Sequence, residues 1–249
     1  VTRLTPWTCD NIVNSRTADE PGGRTVAETA GQHLDAAPAS VAERIRDAMV
    51  RGDYAPNQRL VEADLCEQYQ ASRAAVRIAL QELAADGLVE ILRNKGARVR
   101  AIPLAEAVEI TEVRMVLEGL VAARAAERVT PAEADELRAI GAEMRAACAG
   151  SELLRYSDLN ARLHRRIREI AGHQTTAAIL ERLGAQVVRH QFRLSLQPGR
   201  PAVSLPQHER IIEAVAGQDP DQAEAAMRAH LSSVVQALRA AEEQATAGS

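Results

Sequence analysis

From Ser40 onward, apolar residues recur at helical spacing. Val41, Ile45, Ala48 and Met49 share one face of a segment that opens on a serine suited to capping and breaks at Gly52. The stretch "DYAPNQRL" that follows carries turn residues without a period and is read as a turn. Residues 61 to 69 predict a second short helix, and "QAS" is a tight connection into a third over residues 72 to 86, which Gly87 ends. Then "LVEIL" and "ARVRAI" flank the polar turn "RNKG", two β-prone runs that mark a hairpin. Three helices followed by a hairpin predict a winged helix-turn-helix over residues 39 to 102.

Pro103 punctuates the chain, and from Leu104 the period is helical throughout. Six segments are expected, at 104–128, 131–149, 151–171, 175–195, 204–216 and 219–246, separated by Pro131, Gly150, Gly172, "QPGRP" and "GQDP". The expected fold class is mainly α, with a second, all-helical domain over residues 103 to 249. Residues 1 to 38 contain "PGG", few large apolar groups and no sustained period, and read as a flexible arm.

Composition adds bounds to this picture. A chain of 249 residues, 46% hydrophobic and 26% charged, is long enough for two modest cores. No apolar run approaches the roughly 20 residues of a membrane span, and the N-terminus lacks the pattern of a signal peptide, so a cytoplasmic location is expected. Cys9, Cys66 and Cys148 are scattered and show no CxxC spacing, which suggests neither a disulfide framework nor a thiolate zinc site; Cys66 and Cys148 read as small apolar residues. The net charge of −4 does not advertise nucleic-acid binding, so such a role must rest on local charge.

Local charge supplies it. In "SRAAVRIALQEL", Ser72 can cap a helix and contact phosphate, Arg73 and Arg77 project from one face at i and i+4, and Val76, Leu80 and Leu83 face inward. Arginine reads guanine through two hydrogen bonds, a contact worth about 1–3 kcal/mol of discrimination. Arg93, Lys95, Arg98 and Arg100 lie in or beside the wing, placing basic groups on the two elements that would meet a duplex. The stretch from Arg51 to Val99 resembles the winged-helix head of the GntR transcription regulators, matching at Gly52, Pro56, Arg59, Leu60, Glu62, Leu65, Ser72, Arg73, Val76, Arg77, Leu80, Leu83, Gly87, Leu88 and Gly96. The resemblance implies DNA contacts at Ser72, Arg73, Arg77 and the wing around Lys95 and Gly96, with Arg59 against phosphate. Ala74, Ala75 and Ile78 depart from the residues common in that family, which bears on the operator sequence.

The helical domain resembles the FCD effector domain of the FadR-type subgroup, an antiparallel helical bundle. "ITEVRMVLEGLVAARAA", "LNARLHRRI" and "QHERIIEAVAGQDPDQAEAAMRAHL" carry that likeness. It implies a divalent metal held by Asn160, His164, His208 and His230. Three imidazoles and one oxygen donor suit zinc or nickel, and also manganese or iron. Asn160 stands where many members carry aspartate and offers only an amide oxygen, so a weaker metal site, or a metal-free pocket binding an anion directly, stays open. His33, His173 and His190 fit no such pattern and are read as structural. Arg114 is either the anchor of an effector carboxylate or the i+4 partner of Glu118, with Arg189 and Arg193 as further anchors.

The expected function is a homodimeric transcription regulator, in such families most often a repressor, that binds a palindromic operator in double-stranded DNA and responds to a small carboxylate. The rival is a helical metal-dependent hydrolase using the three histidines. That reading lacks an HExxH motif, and Glu209 sits about 100° around the helix from the metal face.

Overall fold

The computed structural model describes residues 39–247, Asn94 excepted. The N-terminal arm expected over residues 1–38, with Cys9 and His33, lies outside these residues. Helix α1 (Val41–Arg51) starts on a capping box: Ser40 Oγ accepts from the Glu43 amide at 3.1 Å, and Glu43 Oε2 accepts from the Ser40 amide at 2.6 Å. It ends at Gly52 in the left-handed region. α2 (Glu62–Tyr69) and α3 (Arg73–Ala85) follow, and Ser72 Oγ caps α3 through the Ala75 amide at 3.2 Å. Ile45, Leu65, Val76, Leu80, Leu83 and Ala97 close one core, as the apolar spacing predicted.

The wing is β2 (Val89–Leu92) and β3 (Gly96–Val99), antiparallel, with Glu90 opposite Arg98 and Ile91 opposite Ala97. A correction belongs here. Arg59 and Leu60, read as the end of a turn, form a further strand, β1 (Arg59–Leu60), against β3, pairing with Arg98 and Ala97. A strand of two residues is too short to show an alternation of apolar and polar positions.

The helical domain comprises α4 (Leu104–Arg128), α5 (Pro131–Ala149), α6 (Leu153–Ala171), α7 (Gln174–Ser195), α8 (Arg200–Ala216) and α9 (Pro220–Ala247). α4 packs against α9, α6, α7 and α8, around a core that includes Leu137, Ile140, Met144, Leu163, Ile167, Ile211 and Met227. α8 begins at Arg200, earlier than the "QPGRP" turn suggested, because Pro201 sits in its first turn, where a missing amide hydrogen costs nothing. That extra turn carries Arg200 into the domain. Cys66 and Cys148 are half-buried free thiols packed on the two main cores, in keeping with the apolar role expected of them.

Gly96 holds the sheet together at its tightest point. Its φ is +81°, and a Cβ there would stand 2.4 Å from the Leu60 carbonyl oxygen. Gly96→Ala is therefore expected to cost at least about 1 kcal/mol in urea unfolding, the penalty of placing a side chain where backbone and sterics both oppose it. An unchanged unfolding midpoint would contradict this reading of the β1–β3 contact.

Candidate metal centre and nucleic-acid interface

In the head, Ser72, Arg73 and Arg77 are exposed at the start and on one face of α3. Among the described residues, Arg73 makes no hydrogen bond or ion pair. Arg77 Nε pairs with Glu62 Oε2 at 2.9 Å, an exposed pair that a phosphate could replace at little cost. Arg59 and Lys95 are exposed, and the Arg59 Nε donates to the Lys95 carbonyl at 3.1 Å, tying β1 to the turn of the wing. The basic wing residues divide into two groups. Arg98 pairs with Glu90 at 2.7 Å, while Arg100 donates to the Gly87 carbonyl at 3.1 Å and to Glu106 at 2.7 Å. Arg100 is thus a brace between α3, the wing and α4, and Arg93 and Lys95 remain as exposed charge at the turn.

In the helical domain, α6, α8 and α9 bring His164, His208 and His230 together, with one ring nitrogen from each lying within 4.8 Å of the others. All three are buried, at 8%, 1% and 5% exposure. The ring centroids are 5.7 Å apart for His164 and His208, 5.4 Å for His164 and His230, and 4.3 Å for His208 and His230. A buried imidazole needs partners for both nitrogens, and here the partners are one-sided. His208 Nδ1 meets the Tyr156 hydroxyl at 3.1 Å and His230 Nδ1 meets Gln207 Oε1 at 3.0 Å. His208 Nε2 is left without a partner, and so are the buried Asn160 Oδ1 and His164 Nδ1. Gln207 Oε1 can only accept, which puts the His230 proton on Nδ1 and a lone pair on Nε2. The Tyr156 hydroxyl orients the His208 ring through Nδ1 and also meets Ser204 Oγ at 2.8 Å.

The electrostatics favour the neutral form of His208 and His230. Burial, then the nearby His164 and Arg200, pull the His208 pKa well below its usual value. Burial, with His208, His164 and Arg200 behind it, does the same to His230 against the weaker pull of Glu118. Glu118, fully buried, is the counterweight on the other side of His164. Its Oε2 lies 3.7 Å from His164 Nδ1, and its Oε1 accepts from Arg114 at 3.1 Å and Arg168 at 3.4 Å. Burial opposes its ionisation, yet His164, Arg114 and Arg168 outweigh that cost and hold the carboxyl at about 2.

A cavity of about 730 Å³ opens beside these rings and runs along α6 and α7 to Arg46, Asp47 and Val50 of α1. Arg114 pairs with Glu118, one of the two roles foreseen for it, and also lines the cavity, with its Nε and Nη1 without partners. Arg189 and Arg193 are a correction. Neither lines this cavity, and Arg193 borders a separate pocket of about 210 Å³. The cavity face of α7 is set by Gly184, Val188, Gln191 and Ser195, and at about 100° per residue both arginines fall on the far side. The further cations that line it and were missed are Arg46, which pairs with Asp86, Arg165, which lies 4.0 Å from Glu169, and Arg168 and Arg200. Arg168 lies four residues past His164 on α6, a spacing that pointed to it; Arg200 sat in what read as a loop. His173 caps α7 through the Thr176 amide at 3.3 Å, and His190 meets the Ile102 carbonyl at 2.7 Å, both structural roles. Glu209 pairs with Arg145 at 2.7 Å on the surface, turned from the imidazoles as its position required.

Comparisons with known proteins bear on both halves. Residues 38–99 match the family described as bacterial regulatory proteins, gntR family, and residues 109–233 match the FCD domain. The HTH-type transcriptional regulator LutR of Bacillus subtilis is 31% identical over 209 residues, covering 75% of this chain and 94% of the relative. The HTH-type transcriptional repressor RspR of Escherichia coli is 29% identical over 185 residues, covering 74% and 81%. The solved structure of E. coli McbR/YncC has the same fold, with a TM-score of 0.68 over 81% of this chain and 96% of that one at 18% identity.

The unpartnered Asn160 Oδ1, His164 Nδ1 and His208 Nε2 lead to a direct expectation. Adding zinc to chelator-stripped protein should raise the thermal midpoint by several degrees, since a cation bound only by the folded state stabilises it by mass action. His208→Ala should abolish the rise, and Asn160→Asp should tighten zinc binding by supplying the missing negative charge. A zinc response that survives His208→Ala would contradict the site.

Proposed function

This chain belongs to the gntR family of bacterial regulatory proteins and is a DNA-binding transcriptional regulator with an FCD domain; from that premise we propose that it is a homodimeric, cytoplasmic repressor whose helical domain senses a small organic acid beside a divalent metal. Zinc is the metal that the donor set suits best, with nickel, manganese or iron as alternatives. Asn160, His164, His208 and His230 would hold it, and when bound it would supply open positions for an anion's oxygen. The repressor sense follows the description of the E. coli relative. No helix among the described residues is long and apolar enough to cross a membrane. A dimer is supported by Val113, Val116 and Leu120, an exposed apolar stripe at i, i+3 and i+7 on α4. Two heads related by a two-fold axis would read an imperfect palindrome.

One observation carries the regulatory part of this reading: the end of the recognition helix is held by the walls of the cavity. Asp86 caps α3 at its C-terminus, and its carboxylate pairs with Arg46 of α1 at 2.6 Å. Its carbonyl accepts from Gln186 of α7 at 2.7 Å. Arg46 itself lines the cavity, and α7 lines it with one face while Gln186 and His190 hold the head with another. An anion that binds one arrangement of α1 and α7 better than another therefore shifts α3, and the shift equals the difference in its affinities, typically about 1–3 kcal/mol.

DNA recognition has its own test. A duplex recovered by selection from random DNA should be retained in a gel shift at moderate salt, with affinity falling steeply as salt rises. Arg73→Ala should weaken retention about tenfold or more, within the range of a lost arginine–guanine contact. Binding that ignores salt, or is untouched by Arg73→Ala, would contradict the role given to α3.

A further inference from the structure

The cavity beside the histidines has two positive poles, and neither is fully neutralised. At the first, the guanidiniums of Arg114 and Arg168 share the single carboxylate of Glu118. Arg114 is 93% buried by its 7% exposure, yet its Nε and Nη1 have no partner. At the second, Arg200 lines the same cavity from the first turn of α8, half-buried. Among the described residues its guanidinium has one hydrogen bond, Nη1 to Ser233 Oγ at 3.1 Å, and no carboxylate within ion-pair distance. Buried or half-buried cations are costly unless paired, so each pole presents a cation in need of an anion.

The poles flank the imidazole cluster. Glu118 ties the first to His164. The second joins His208 through a chain in which the Arg200 carbonyl accepts from Ser204 Oγ at 3.1 Å, Ser204 meets Tyr156, and Tyr156 meets His208. Ser233, which holds the Arg200 side chain, is one turn beyond His230 on α9. One surplus charge therefore stands at each end of the histidine cluster, and a ligand with a single anionic group would neutralise only one.

We propose that this cavity takes an organic ligand with two anionic groups, in the simplest case a short dicarboxylate, one group held by Arg114 and Arg168 and the other by Arg200. The proposal rests on the effector reading above and narrows it to a charge class. Planar, multi-donor guanidiniums suit carboxylates at both ends, and Asn160, neutral where a carboxylate would have offset charge, adds to the demand for negative charge in the ligand.

Calorimetry on the full-length protein tests it, with straight-chain diacids from malonate to adipate and monoacids of equal carbon number. The best diacid should bind at least about tenfold tighter than its matched monoacid. Arg200→Gln should shrink that gap below about twofold by weakening the diacid far more than the monoacid, which keeps the other pole, while Arg200→Lys, which restores a cation, should retain most of it. A thermal melt of each variant establishes that it is folded. Equal affinity for the two classes in the unaltered protein, or a gap that persists in folded Arg200→Gln, overturns the two-pole assignment and leaves the effector reading standing. No binding by any acid overturns both.

Discussion

Burying three imidazoles together is a costly arrangement, because each ring brings two nitrogens that must find partners in a space largely closed to water. In this domain the Nδ1 atoms of His208 and His230 meet Tyr156 and Gln207, one nitrogen of each of the three rings lies within 4.8 Å of the others, and Asn160 lines the same cavity. The proposed cation would complete such a cluster. α6, α8 and α9 each contribute one ring, so their relative register must be fixed to within a fraction of a turn. Leu163 and Ile167 on α6, Ile211 and Ile212 on α8 and Met227 on α9 provide that rigidity, buried in one core that the three helices share.

The cavity is not confined to the helical domain: it reaches Arg46, Asp47 and Val50 on α1 of the head, which is what the proposed coupling between ligand and DNA relies on. α7 stands between the two, with cavity residues on one side and the carbonyl of Asp86 on another. Helix α3 is thus fixed at its N-terminus by its own serine cap and at its C-terminus by Arg46 of α1 and Gln186 of α7. In the proposed reading the exposed arginine face of α3 meets the duplex, and its position is set from the far end.

Much of this was legible in the sequence, for identifiable reasons. Long amphipathic helices declare themselves, and the ends of α4 and α5 were marked by Pro103, Arg128, Pro131 and Gly150. Residues placed by short-range rules, such as Ser72 as a cap and Leu80 and Leu83 as core, followed in the same way. The histidine cluster was reached through family resemblance, since residues 164, 208 and 230 are far apart in the chain and only tertiary packing joins them. What escaped depended on rotation or context. β1 was too short to show a period, Arg189 and Arg193 lay on the wrong side of α7, and Arg200 was hidden in a proline-containing start that resembled a loop. Arg100 read as a DNA-facing charge and proved to be a brace, because its partners Gly87 and Glu106 are brought to it by the fold.

The central claim is that the three imidazoles together complete one metal centre, and X-ray absorption at the zinc edge of the zinc-loaded protein addresses it most directly. The spectrum should show a first shell of light atoms near the roughly 2.0–2.1 Å of zinc–imidazole bonds, with the outer-shell pattern of three histidine rings. A spectrum with oxygen neighbours alone, or with a single imidazole, would contradict it.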